Sequence, residues 1–124
     1  MKDIGIGVDI ERIERFQKLE IIKNKNFFEK IYTKAEINYC FSKDNPAPCL
    51  AVRFAGKEAI VKALGDLVSL KEPIDYKKIE ILDKEYGAPE VKILDDNFSL
   101  FRAAISLSHC DDRAIAFAII TKDK

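Results

Sequence analysis

A chain of 124 residues with 48% hydrophobic side chains and no tryptophan has material for one hydrophobic core but not two, so a single domain over residues 1–124 is expected. Its 21 basic side chains are balanced by 21 acidic ones, which excludes a protein that grips nucleic acid through a long run of phosphates and leaves any basic site local. Apolar runs are only a few residues long, far below the ~20 needed to cross a bilayer, so no membrane or export segment is expected and the chain reads as cytoplasmic.

The opening segment Ile4 to Ile10 alternates Ile4, Ile6, Val8 and Ile10 with Gly5, Gly7 and Asp9, the period of a strand. The glycine face is nearly bare, so something bulky is expected to lie against it, with Asp9 projecting from the same side. From Glu11 the pattern turns helical, with Ile13, Phe16, Leu19 and Ile22 forming an apolar stripe. After a break at Lys23 to Asn26, Phe27, Phe28 and Ile31 suggest a short helix. Thr33 and Glu36 then match a capping box that starts a helix running to about Phe41. Asn45 to Pro48 interrupts. A long helix follows from about Ala47 to Leu64, with Gly65 as its expected C-cap.

The second half reads as sheet. Lys78 to Leu82 and Glu90 to Leu94 alternate around a turn at Tyr86 to Pro89, which predicts a hairpin. Ala103 to Ser108 and Arg113 to Thr121 give two more strands, joined by His109 to Asp112, and the near-continuous apolar run Ala114 to Ile120 reads as a strand buried on both faces. Strand, helices, then antiparallel strands make an α+β domain. Cys40, Cys49 and Cys110 are odd in number, lack a CxxC pair and have only His109 beside them, so neither a disulfide framework nor a zinc site is expected and reduced, mostly buried thiols are.

Several residues carry potential chemistry. Asp9 sits near a strand end, where an aspartate also commonly bonds the following turn. Glu58 and Lys62 lie four apart on the long helix, the spacing of a surface ion pair as well as of a site. Gly56, inside that helix, implies close packing or the close approach of a ligand. Cys110 beside His109 is poorly placed for proton transfer, because neighbours in an extended segment point to opposite faces.

Three segments, GIGVDIERI (5–13), RFAGKEAIVKALG (53–65) and SLSH (106–109), stand in the order and spacing of one family. The chain resembles the holo-acyl-carrier-protein synthases, the small bacterial 4′-phosphopantetheinyl transferases, from Ile4 to the last strand. The resemblance implies transfer of the phosphopantetheine arm of coenzyme A to a serine of apo acyl carrier protein, with release of adenosine 3′,5′-bisphosphate, in fatty acid biosynthesis. It implies Mg²⁺ held by Asp9 and Glu58, hard oxygen donors suited to that ion, and catalysis by Asp9, Glu58 and Lys62, the lysine stabilising charge on the reacting phosphate. Either Glu58 or a metal-bound water would deprotonate the serine. Arg53, Lys62, Gly65 and His109 match coenzyme A-binding positions, and Arg15, with Arg12 one turn earlier, matches a basic landing site for the acidic carrier. A homotrimer with interfacial active sites is implied as well. Asp66, where relatives commonly carry glycine, departs from the pattern and places a carboxylate near the expected phosphates; Cys110 to Arg113 replaces another familiar turn. A non-catalytic module of the same fold that binds coenzyme A or carrier protein is the alternative. A metal-dependent nuclease is opposed by the helical spacing of Glu58 and Lys62 and by the zero net charge.

Overall fold

The protein was analysed as a computed structural model that describes residues 3–123. In chain order its elements are β1 (Ile4–Arg12), α1 (Ile13–Gln17), α2 (Lys25–Ile31), α3 (Lys34–Phe41), α4 (Ala47–Leu67), β2 (Ile79–Asp83), β3 (Pro89–Ile93), β4 (Phe101–Cys110) and β5 (Arg113–Lys122). An antiparallel sheet with order β1-β5-β4 and a separate β2-β3 hairpin flank α4, so the α+β expectation holds. Gly87, with φ at 87°, makes the left-handed position of the hairpin turn.

Where β1 and most of β5 meet α4 the inner face of the larger sheet is built from small residues, while Ile120 and, on β4, Ile105 and Leu107 bring larger side chains to the core. Gly5 and Gly7 on β1 and Ala114, Ala116 and Ala118 on β5 all point inward and are buried. A side chain on Gly5 would overlap the carbonyl oxygen of Ala63, and one on Gly7 that of Ala59, so the bulky object expected against the bare face is α4 itself. With no Cβ between them, helix and strand backbones touch. Large residues take the opposite face. Ile4, Ile6, Val8, Ile10, Ile115, Phe117 and Ile119 stand 38 to 58% exposed there. In the single chain β5 alternates alanine with larger residues, so one face is covered by α4 and the other, with Ile115, Phe117 and Ile119, is open and apolar.

Helix α4 runs through both parts of the core. Its first half packs Leu50, Ala51 and Phe54 with Phe16, Phe28 and Tyr32, and its second half packs Ala59, Ile60 and Leu64 with Ile79, Ile81 and Ile120. Gly56 is a packing glycine, since a Cβ there would lie 2.6 Å from Ile81 Cδ1. The expected C-cap at Gly65 is also corrected. The helix continues to Leu67 with Val68 as its cap, because the buried Leu64 and partly buried Leu67 hold another turn against the sheet. Similarly, β1 extends past Glu11 to Arg12 through its pairing with β5, which shortens α1 to five residues.

The capping box of α3 is present: Glu36 N donates to Thr33 Oγ1 at 3.2 Å and Thr33 N to Glu36 Oε1 at 2.8 Å. Glu36 is wholly buried and has a second task. Its Oε1 receives Lys57 Nζ at 2.6 Å and its Oε2 the amide of Ile81 at 2.9 Å, while Lys57 Nζ also donates to the carbonyls of Ile31 and Tyr76. The three ammonium protons are all used, as a buried cation requires.

The reading of reduced cysteines is overturned for two of them. Cys40, at the end of α3, and Cys49, in the first turn of α4, form a disulfide. The Asn45 to Pro48 break folds the chain back so that their Cα atoms stand 5.4 Å apart, a separation that linear spacing did not reveal. Cys110 is free and exposed.

Candidate active site

Because α4 lies flush on the glycine face of β1, the side chains that follow Gly7 on that face meet the helix's outer turn. Asp9 Oδ1 receives Lys62 Nζ at 3.2 Å, and the same ammonium donates to the carbonyl of Val8 at 2.9 Å. Lys62 therefore does not form the simple surface pair with Glu58 that the four-residue spacing allowed. The lysine is half exposed, whereas the Asp9 side chain is only 13% exposed. Asp9 Oδ2 is buried without a hydrogen-bond partner, and a buried carboxylate oxygen in that state calls for a cation or a proton.

Glu58 and Tyr76 complete one side of this group. The Tyr76 hydroxyl interacts with the Glu58 carboxylate, and burial together with that carboxylate holds the phenol proton far above its ordinary range. Glu11, two residues after Asp9 and so on the same face of β1, completes the other side. Its carboxyl is pushed up to about 7 by burial, by hydrogen bonding to Asp9 and by the Asp9 charge, against the opposing pull of Arg15. Arg15 pairs with Glu11 Oε1 at 3.1 Å and rests over the rings of Phe16 and Phe54. Glu11, Tyr76 and the Glu36–Lys57 pair were missed in the sequence. Only Glu11 left a usable signal there, the D-x-E spacing that puts two carboxylates on one face of a strand.

A second group of expected residues lies elsewhere. Arg53 is buried, with Nε donating to the carbonyl of Ile81 at 3.1 Å and Nη2 to Asp83 Oδ1 at 3.3 Å. His109 is exposed near the end of β4, a strand position rather than the connecting loop expected. Both line a cavity of about 250 Å³ together with Tyr39, Lys43 and Ser108. Asp9, Glu58 and Lys62 do not line that cavity. Gly65 is exposed on α4 with open space above it. Asp66 reaches back to β1, its Oδ2 accepting from the Ile6 amide at 3.2 Å, so this carboxylate serves the edge of the sheet. Arg12 and Arg15 are both exposed, but Arg12 is the last strand residue and not one helical turn before Arg15, because β1 is longer than expected.

The residues fit a hard divalent cation. Asp9 offers an orphaned buried oxygen and Glu58 a second carboxylate, and Mg²⁺ typically takes one or two protein carboxylates and keeps several waters. Among the described residues no three aspartate, glutamate, histidine or cysteine side chains are already converged on one point.

Residues 5–118 match the model of the 4′-phosphopantetheinyl transferase superfamily. A holo-[acyl-carrier-protein] synthase of Thermodesulfovibrio yellowstonii is 43% identical over 117 residues, covering 94% of this chain and 97% of that one. One from Chlorobaculum parvum is 43% identical over 115 residues, covering 93% and 96%. Among solved structures, the ACPS–CoA complex of Chronobacterium ammoniagenes shares the fold at a TM-score of 0.81 and 23% identity, covering 99% of this chain and 100% of that one. The Helicobacter pylori holo-[acyl-carrier-protein] synthase in complex with coenzyme A gives a TM-score of 0.78 and 29% identity, covering 94% and 99%. With residues 5–118 matched by the family model and relatives 43% identical along nearly the whole length, the chain belongs to the holo-[acyl-carrier-protein] synthase family of 4′-phosphopantetheinyl transferases.

Proposed function

We propose that this protein transfers the 4′-phosphopantetheine arm of coenzyme A to a serine hydroxyl of an apo acyl carrier protein, releasing adenosine 3′,5′-bisphosphate, in service of fatty acid biosynthesis. The observation that carries this reading is the convergence of Asp9, Glu58 and Lys62 where α4 crosses β1, with Asp9 Oδ2 buried and unpartnered. Asp9 and Glu58 would hold Mg²⁺, which when bound neutralises the diphosphate and orients it. Lys62 leaves its Asp9 contact to meet the reacting phosphate, where a mobile point charge stabilises developing negative charge.

The serine oxygen attacks the phosphorus while its proton passes to a base, for which we assign Glu58. The bond from that phosphorus to the leaving bisphosphate then breaks. Lys62 compensates charge on the departing group. Transition-state stabilisation of this kind is worth roughly 10²- to 10³-fold per donor.

Arg53, Lys43 and His109 line one cavity together with Asp83, which already pairs with Arg53, and would supply donors for a phosphate of coenzyme A. That they and the Asp9 group do not share a cavity supports a site completed between copies, and the open face of Ile4, Ile6, Val8, Ile10, Phe117 and Ile119 is the surface on which a homotrimer would assemble. Arg15, half exposed, with Arg12, would steer the acidic carrier towards the site. We place the reaction in the cytoplasm, and no helix among the described residues is long and apolar enough to cross a membrane.

The test is the intact mass of a purified apo acyl carrier protein after incubation with this protein, coenzyme A and Mg²⁺. The carrier is expected to gain one phosphopantetheine arm, and to gain none with EDTA. No gain from a folded sample would favour the non-catalytic binding module.

A further inference from the structure

We propose that Cys40 and Cys49 form a reversible oxidation site whose state sets how tightly the Arg53 cavity holds a phosphate. The inference rests on the reading of that cavity as a coenzyme A phosphate site and of the cytoplasm as the setting. Disulfides are rare in that compartment, and those that occur are usually transient, catalytic or redox-sensing.

The two sulfurs differ in access. Cys40 is fully buried, whereas Cys49 is partly covered and lines the cavity of about 250 Å³ with Tyr39, Lys43, Arg53 and His109. Cys49 is therefore the sulfur that a small dissolved disulfide or thiol reaches. It stands in the first turn of the 21-residue α4, whose positive end favours negative charge on sulfur during exchange.

The bond also holds the cavity's cations in place. It joins the end of α3 to the start of α4, with the two Cα atoms 5.4 Å apart. Tyr39 immediately precedes Cys40, and Arg53 lies one helical turn beyond Cys49. The Arg53 guanidinium sits 4.8 Å and Lys43 Nζ 4.7 Å from the centre of the Tyr39 ring. The Tyr39 hydroxyl donates to Asp83 Oδ2 at 2.6 Å, while Asp83 Oδ1 receives Arg53 Nη2 at 3.3 Å. Both cations thus rest on one ring, and the disulfide fixes that ring against α4. Two thiols cannot stay at bonding distance, so reduction moves the end of α3 from α4 and loosens the shared support.

Oxidation by glutathione disulfide balances in two exchanges. The Cys49 thiolate attacks one sulfur of glutathione disulfide and expels a glutathione thiolate, leaving a mixed disulfide. The Cys40 thiolate then attacks Cys49 Sγ and expels the second. The two protein thiols lose two electrons, glutathione disulfide gains them, and the two thiol protons end on the two glutathiones. Reduction runs the same path backwards.

The test equilibrates the protein with mixtures of reduced and oxidised glutathione that span the cytosolic poise. Peptide mass after alkylation reads the state of Cys40 and Cys49. Calorimetry on the same samples measures binding of adenosine 3′,5′-bisphosphate, which has no thiol of its own. The pair is expected to pass from fully alkylated to fully protected across the range, and the bisphosphate to bind the oxidised form at least about 5-fold more tightly. Cys49→Ala, with folding confirmed by near-ultraviolet circular dichroism, should bind as weakly as the reduced parent at every mixture. A pair that stays oxidised or stays reduced throughout would overturn the switch. Equal affinity in both states would overturn its link to the cavity while leaving the phosphate reading intact. Absence of binding in both states would overturn that reading and the inference together.

Discussion

At the scale of single residues, the site is governed by which oxygen lacks a partner. Lys62 could satisfy Glu58 one turn away on its own helix, yet it bonds Asp9 and the carbonyl of Val8, because close contact between β1 and α4 brings those oxygens within reach. Glu11 shows the energetic cost of burying an acid, with Asp9 beside it adding to the effect. Its native value near 7 lies above the ordinary 4.5, so its neutral form is favoured in the folded state. The associated stability is fully present below about pH 4.5 and is lost as pH rises through about 7. In metal-free protein, the thermal midpoint of the parent should therefore fall across that window relative to Glu11→Gln. Parallel curves for the two proteins would contradict this assignment. Asp9 and the Glu58–Lys62 spacing were legible in the sequence because strand alternation and helical periodicity expose them. Tyr76 and the unpartnered oxygen were not, since both depend on contacts between distant segments.

At the scale of elements, α4 was legible in its start and its apolar content but not in its end or its neighbours. Gly65 looks like a stop signal, yet packing of Leu64 and Leu67 carries the helix past it. The buried Glu36–Lys57 pair was hidden for a related reason: the capping box announced Glu36 as a local residue, and only the fold joins it to Lys57 and to the amide of Ile81. This node ties α3, α4, β2 and the end of α2 together immediately beside Glu58. Removing one member of such a pair leaves a buried charge without compensation, at about 3 to 5 kcal/mol. Lys57→Met is expected to lose that much in urea unfolding, and the double variant with Glu36→Leu to recover part of it. A loss under about 1 kcal/mol in the single variant would show that the pair contributes little.

At the scale of the whole molecule, β1 and most of β5 invert the usual distribution of side-chain size. Glycine and alanine there face the core so that α4 can approach, and the larger residues that alternate with them, from Ile4 to Ile10 and from Ile115 to Ile119, are turned to the outside. Alternation in Ile4 to Ile10 was visible in the sequence, but the natural inference that isoleucine faces inward would be wrong for this chain. Phe117, at 41% exposure, lies centrally on that open face opposite Val8 and Ser106. Phe117→Glu is expected to convert an assembled species to monomer in sedimentation velocity while preserving secondary structure; an unchanged sedimentation coefficient would exclude this face as the interface. The central claim is that one active site combines the Asp9, Glu58 and Lys62 group of one copy with Arg53 and His109 of another. The most direct measurement is phosphopantetheine transfer by a co-refolded 1:1 mixture of Asp9→Ala with the double variant Arg53→Ala/His109→Ala, each inactive alone. Random assembly should restore about a quarter of the parental rate, since sites with both halves intact then form between unlike copies. A mixture as inactive as its components would contradict the account and place both groups in the site of a single chain.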